Sequence, residues 1–266
     1  MDGKETTLYI GNRHGAVQYF AHEADRFASA AFESILVGVK NPTFPRSTGW
    51  LLIRAYYAAF FAMHSLMRLH GWACVRLSSA NLKAINKDVA LFFSGSGSLN
   101  AGLYFVKSND GARELICSPL DTSATHDALW SVARDFFNEI GSVVLQGNNA
   151  EGQALVALLD KLQRLAEPFG GTKWFSTLRN RINYAHEYGT WFPYLTSTSD
   201  YDRVDAALGV WKGMPEDAFA HQSDDELIGF ATACGFIVSL CCTTVRDLTF
   251  RSRSNSPFRG SSGRLV

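Results

Sequence analysis

A long apolar segment in the first third of the chain most constrains how the protein can fold. Residues 50–70 read WLLIRAYYAAFFAMHSLMRLH, and Gly71 follows as a residue that commonly ends a helix. The pattern predicts an α-helix that is apolar on nearly every face, which belongs inside a helical bundle or at a helix-packed dimer interface. Its small residues would allow neighbouring helices to approach closely (Ala55, Ala58, Ala59 and Ala62).

The flanking sequence predicts further helices and one β-hairpin. Helical spacing of apolar residues marks residues 14–39, 78–93, 121–145, 154–165, 201–212 and 224–250. The period changes to that of β-strands at residues 102–106 and 113–117, on either side of the turn-forming pair Asp110-Gly111. We therefore predict an all-α fold, a helical bundle with an inserted β-hairpin at about 102–118, in a single domain over residues 1–250.

Residues 251–266 differ in composition from the rest of the chain. They contain many Ser and Gly, almost no apolar residues, and four arginines (Arg251, Arg253, Arg259 and Arg264). Such a composition predicts a disordered basic tail, able to act as a solvated arm that attracts phosphate groups.

Charge and cysteine content narrow the class of protein. Lys and Arg together number 25, equal to Asp and Glu, so the formal net charge is zero and any RNA site must come from local clustering of positive charge or from subunit assembly. Five cysteines without CxxC spacing indicate buried thiols rather than a zinc site or a disulfide framework. The N-terminus has no apolar signal region, and residues 227–242 are shorter than a bilayer span. These features predict a soluble, cytoplasmic protein without a membrane partner.

The stretch LRNRINYAHEYGTWFPY, residues 178–194, concentrates the groups best suited to chemistry on a phosphodiester. Guanidinium groups of Arg179 and Arg181 can grip phosphate oxygens, and the imidazole of His186 can move protons near neutral pH. On a continuous helix, Arg179 and His186 lie two turns apart on one face, whereas Arg181 is rotated from His186 by roughly 140°. Periodicity alone therefore favours Arg179 as the partner of His186. The alternative is an exposed helix face with a hydrogen-bonded histidine, since this spacing often arises by chance.

RNA cleavage suits such a set of residues because RNA carries its own nucleophile, the 2′-OH. Cleavage requires a proton acceptor, a proton donor for the leaving 5′-oxygen and stabilisation of the phosphorane charge, which histidine and arginine can supply without a metal. One histidine and one or two arginines are few residues to fill all of these roles. Two copies meeting across a symmetric homodimer would double the set.

Two separate stretches resemble the HEPN family of prokaryotic ribonucleases and toxin-like proteins. The first, RAYYAAFFAMHSL at residues 54–66, is similar to the second helix of many such proteins. The second, RNRINYAHEY at residues 179–188, resembles the R-x4–6-H signature of the family. Arg179, followed by the polar Asn180, fits the longer spacing. Arg181 fits the commoner, shorter spacing but has Ile182 where a polar residue is usual, so either arginine can be the one that corresponds to the family's.

The resemblance implies a metal-independent, cofactor-free RNA endonuclease that acts as a homodimer and leaves a 2′,3′-cyclic phosphate and a 5′-OH. It implies catalytic roles for Arg179, Arg181 and His186, with Asn180 and Tyr188 binding substrate or supporting the site. His186-Glu187-Tyr188 also resembles the H-x-Y extension of HEPN toxins paired with nucleotidyltransferase antitoxins, in which the tyrosine is adenylylated. Tyr188 is therefore a candidate modification site, and a toxin–antitoxin or anti-phage defence system is the implied setting.

The sequence is also compatible with two alternatives to a nuclease. The first is a non-catalytic HEPN-like module that binds RNA or nucleotides or scaffolds a defence complex, which the zero net charge favours. The second is a regulatory subunit that grips a protein partner through the aromatic residues after the motif (Trp191, Phe192 and Tyr194). The same aromatic residues would serve equally well as core under the active helix.

Overall fold

A computed structural model describes residues 5–36, 47–92, 99–109, 113–147, 149–194, 196, 198–221 and 223–266. The predicted hairpin turn Asp110-Gly111 and the last residues of the first predicted helix lie outside these ranges. Within them the protein is mostly helical and carries a small antiparallel β-sheet.

The apolar segment at residues 50–70 forms the central helix α2, Thr48–Leu69. It packs lengthwise against α1, Arg13–Leu36, and against α8, Glu226–Arg251. The four alanines predicted to allow close approach are fully or almost fully buried there (Ala55, Ala58, Ala59 and Ala62). Burial of apolar surface on this helix is the main term that drives the bundle together, and the prediction of an interior helix is confirmed.

Helix α8 is the second interior element. The carboxylate of Asp225 accepts hydrogen bonds from the backbone N–H groups of Leu227 and Ile228, which caps the helix. By length and composition α8 could cross a membrane, but 83% of its most apolar stretch is buried inside the fold. A core helix of a soluble protein has this character.

Further helices lie close to their predicted positions. They are α3, Ser79–Phe92; α4, Thr125–Gln146; α5, Ala150–Ala166; and α7, Tyr201–Gly209. The inward-facing residues of α4, α5 and α7 join those of α1, α2 and α8 in one apolar core, whereas Leu82 and Ile85 of α3 pack with the β-sheet in a second, smaller cluster. The sequence periodicity therefore located the helices of the bundle to within a few residues.

The sheet is larger than the predicted hairpin. Its strands are β1, Thr6–Tyr9; β2, Trp72–Leu77; β3, Gly102–Ser108; and β4, Glu114–Pro119. The spatial order is β1-β4-β3-β2, with every neighbouring pair antiparallel. The mostly helical fold and the hairpin of β3 and β4 are confirmed, but the hairpin does not stand alone, because β1 and β2 extend it on both edges. Gly71, at φ +73°, turns the chain from α2 directly into β2.

The C-terminal segment is ordered, so the prediction of a disordered tail is wrong. It forms a short helix α9, Pro257–Gly260, and a helical turn at Ser262–Arg264. Phe258 is only 4% exposed. On α1, the buried carboxylate of Asp25 accepts hydrogen bonds from the Ser261 hydroxyl and from both the N–H and the hydroxyl of Ser262. A buried carboxylate requires such donors, and the tail supplies them despite its polar composition.

Substituting Asp25 by alanine is expected to lower the free energy of unfolding by about 2–3 kcal/mol, because the serine donors lose a charged acceptor. The tail should also become accessible to trypsin at its arginines. Thermal melting and limited proteolysis measure the two effects. Asp247→Ala is the matched control, since that half-exposed carboxylate pairs with Arg251 on the surface and should contribute less than about 0.5 kcal/mol. Unchanged proteolysis of the Asp25 variant would show that the carboxylate does not anchor the tail.

Candidate functional site

The predicted motif begins on a short helix that is anchored in the core. This helix, α6, spans Trp174–Asn180, and Trp174, Phe175 and Leu178 are buried on its inner side. Because these large side chains fix the helix against the bundle, Arg179 and Asn180 at its end are held in a defined position on the protein surface.

Beyond α6 the chain does not continue as the predicted α-helix. Residues Arg181–Ala185 form one turn of π-helix, and His186 leaves the helix in the left-handed region at φ 55° and ψ 26°. The indole Nε1 of Trp191 donates to the carbonyl oxygen of Ile182 at 2.7 Å. In an α-helix that carbonyl would accept from the backbone N–H of His186. Here the indole N–H of Trp191 replaces that backbone donor. The two-turn relation between Arg179 and His186 inferred from a continuous helix is therefore wrong.

In the part of the chain that the structure describes, Arg179 contacts neutral groups only. Its Nη1 donates to Oδ1 of Asn180 and its Nη2 to the hydroxyl of Tyr57, both at 2.7 Å. The guanidinium carbon lies 5.6–5.7 Å from the ring centroids of Tyr56, Tyr57 and Tyr184. Among the described residues it forms no ion pair with a carboxylate, so its positive charge is uncompensated and remains available to an anion.

Arg181 is, by contrast, neutralised within the fold. Its Nε donates to Glu187 at 2.6 Å and its Nη1 to Glu226 at 3.1 Å, while the guanidinium lies 4.9 Å from the ring centroid of Tyr188. Glu226 also accepts from the hydroxyl of Tyr188 at 2.5 Å and from the indole of Trp174 at 3.1 Å. Burial, together with the bond to Glu226, raises the pKa of the Tyr188 phenol.

His186 is exposed and forms no hydrogen bond with Arg179 or Arg181. Its ring centroid lies 6.4 Å from that of Tyr194, and in the described part of the chain the imidazole has no hydrogen bond. The residues predicted for the site thus separate into the Arg179–Asn180 pair, the Arg181–Tyr188 pair and a solitary histidine. Three exposed aromatic side chains belong to the motif itself (Tyr184, Phe192 and Tyr194), and the exposed Trp50 lies 6.0 Å from Trp191 by ring centroids.

Sequence reasoning missed a second histidine near Arg179. His126, near the start of α4, is half-buried, and its Nδ1 lies 2.8 Å from the hydroxyl of Tyr56. Burial and then the charge of Arg179 lower the pKa of this imidazole. No spacing in the sequence relates His126 to the motif, because tertiary packing of α4 against α2 brings them together.

Glu226 is the acceptor that holds the Arg181 side of the site together. Glu226→Ala is expected to lower the free energy of unfolding by about 2–3 kcal/mol, since a side chain that is only 18% exposed leaves three donors without their acceptor. Glu187→Ala is the matched control: its carboxylate is 44% exposed and, among the described residues, bonds to Arg181 alone, so the loss should stay below about 1 kcal/mol. Chemical denaturation measures both, and equal losses would contradict a central role for Glu226.

No match to this chain is found among models of known protein families, curated proteins or solved structures. The HEPN resemblance therefore stays a prediction that rests on the residues of the two stretches quoted above.

Proposed function

We propose that the protein is a metal-independent RNA endonuclease of HEPN type, built on a HEPN-like helical bundle. The observation that carries the proposal is the uncompensated guanidinium of Arg179 at the surface, followed along the chain by the turn that exposes His186. A phosphodiester is the anion that such a fork binds well. The proposed reaction is attack of the 2′-OH on the adjacent phosphorus, giving a 2′,3′-cyclic phosphate and a 5′-OH.

Each residue takes a role that follows from its contacts. Arg179 binds the non-bridging phosphate oxygens and stabilises the charge that develops on them, and Asn180 orients its guanidinium. His186 transfers protons, since an exposed imidazole without a hydrogen-bond partner in the described chain is open to substrate. Arg181 and Tyr188 support the turn through Glu226.

His186 supplies one proton-transferring imidazole per chain, whereas the reaction needs both a general acid and a general base. The other group must therefore come from elsewhere. A homodimer in which the two copies of His186 meet would supply both. Exposure of His186 and of the aromatic side chains around it supports such an arrangement. The cytoplasm, a toxin–antitoxin or anti-phage setting, and a nucleotidyltransferase that modifies Tyr188 follow from the resemblance and belong to the same proposal.

The test is incubation of the purified protein with end-labelled RNA in EDTA, at concentrations where light scattering shows a dimer. Cleavage should persist in EDTA, stop when the nucleotides carry 2′-O-methyl groups, and leave cyclic phosphate and 5′-OH ends. Loss of cleavage in EDTA, or cutting of the 2′-O-methyl strand, would overturn the proposed chemistry. RNA binding without any cleavage would identify the non-catalytic HEPN-like module instead.

A further inference from the structure

Three groups that can donate hydrogen bonds lie together at the aromatic face of α2: Tyr57, His126 and Arg179. Tyr57 lies between the other two: its ring centroid is 5.9 Å from that of His126 and 5.6 Å from the guanidinium carbon of Arg179. Tyr56 lies beneath them, 5.6 Å from His126 and 5.7 Å from Arg179. The three groups come from α2, α4 and α6, and each is only partly buried.

The hydrogen bonds of Tyr56 determine which nitrogen of His126 carries the proton. The indole Nε1 of Trp130, which can only donate, gives its hydrogen to the Tyr56 oxygen at 3.2 Å. Tyr56 is fully buried, so its own O–H must also be satisfied, and Nδ1 of His126 at 2.8 Å is its acceptor. Neutral His126 therefore carries its proton on Nε2, which is a donor without an acceptor in the described chain.

Like His126, Tyr57 and Arg179 each carry a hydrogen-bond donor without an acceptor among the described residues. The Tyr57 hydroxyl accepts a hydrogen from Arg179 Nη2, and within the described ranges its own O–H has no acceptor. Nε of Arg179 is buried without a hydrogen-bond partner. Asp127, the exposed acidic residue next to His126, raises the pKa of the imidazole. Burial and the charge of Arg179 lower that pKa, and their effect is the larger one. The imidazole is thus neutral at pH 7 and acts as a donor rather than as a cation.

We propose that Arg179, Tyr57 and His126 form a phosphate-binding site within each protomer that holds a phosphate group of the RNA strand. A phosphate group binds where several hydrogen-bond donors lie close together and have no acceptor within the protein. His126 is here a substrate-binding residue that gives a neutral hydrogen bond, distinct from the proton-transferring role of His186. The substrate class inferred from this site rests on the proposed function.

The test measures binding of a fluorescent 2′-O-methyl oligoribonucleotide, which cannot be cleaved by 2′-OH attack. His126→Leu should weaken binding about tenfold, because a hydrogen bond to a charged group is lost. His126→Gln should recover most of that loss, since the amide oxygen can accept from Tyr56 while the amide nitrogen still donates. Tyr57→Phe, which removes one oxygen atom, should weaken binding severalfold. His221→Leu, at an exposed position elsewhere, is the control, and melting temperatures identify variants that fail to fold.

The outcomes separate this site from the proposed catalysis. Equal affinity of His126→Leu, Tyr57→Phe and wild type would overturn the phosphate site even if wild type cleaves RNA. Equal weakening by His126→Gln and His126→Leu would also overturn it, since a purely structural histidine gives that result. Binding that depends on His126 in a protein that never cleaves RNA would support the site and refute the nuclease. Inorganic phosphate, added at constant ionic strength, should compete with the oligonucleotide for wild type.

Discussion

His186→Ala is expected to lower the single-turnover rate of RNA cleavage by about 100- to 10,000-fold, the usual contribution of a general acid or base. The same substitution should leave stability almost unchanged, because the imidazole is exposed and makes no hydrogen bond in the described part of the chain. A large kinetic effect without a shift in melting temperature is the signature of a residue that acts on substrate. Cleavage of labelled RNA by enzyme in excess over substrate measures it.

His221→Ala is the matched control for this experiment, since that histidine is also exposed and lies outside the site. Its rate should equal that of wild type. Light scattering should show the same oligomeric state for both variants. If His186→Ala cleaves within about threefold of wild type, His186 has no part in proton transfer, and a different group must be sought.

Arg179→Met is expected to lower the cleavage rate by about 100- to 1,000-fold, the range for removing one group that stabilises developing negative charge. Arg181→Met should lower the rate much less, because the charge of Arg181 is already neutralised by Glu187 and Glu226. Its main effect should be a loss of stability of about 1 kcal/mol, since Glu226 then keeps its charge without a cationic partner. Cleavage rates and denaturation curves of the two variants measure the contrast.

Arg179→Lys separates the effect of the positive charge from that of the planar guanidinium at the same position. It retains the positive charge but loses the planar fork, so its rate should lie between those of wild type and Arg179→Met. The opposite pattern, in which Arg181→Met abolishes cleavage at unchanged stability and Arg179→Met cleaves normally, would assign the catalytic arginine to Arg181.

Helix positions could be predicted from the sequence because apolar periodicity reports directly on burial. The segment that became α2 is apolar on nearly every face, and only an interior helix accommodates such a pattern. Strand β2 was missed because it follows α2 after only two residues, His70 and Gly71, and pairs with β3, a partner distant in sequence. Order in the C-terminal segment was missed because it depends on Asp25, at the other end of the chain.

The candidate site was predictable only where its contacts are local. Arg179 and Asn180 are neighbours in sequence and in space. The π-turn was not predictable, because it depends on a hydrogen bond from Trp191 that no helix propensity expresses. Glu226 and His126 reach the motif through tertiary packing, so a search for local patterns passes over both. Local signals therefore identify the motif but not the groups that set its charge and geometry.

The position of Glu226 restricts how far the active region can diverge while the protein stays intact. Glu226 is the first residue of the interior helix α8, and its carboxylate fastens Arg181 and Tyr188 to that helix. An evolutionary change there would disturb the scaffold and the proposed site at once, so sequence change is freer at the exposed aromatic side chains of the motif and its C-terminal flank (Tyr184, Phe192 and Tyr194).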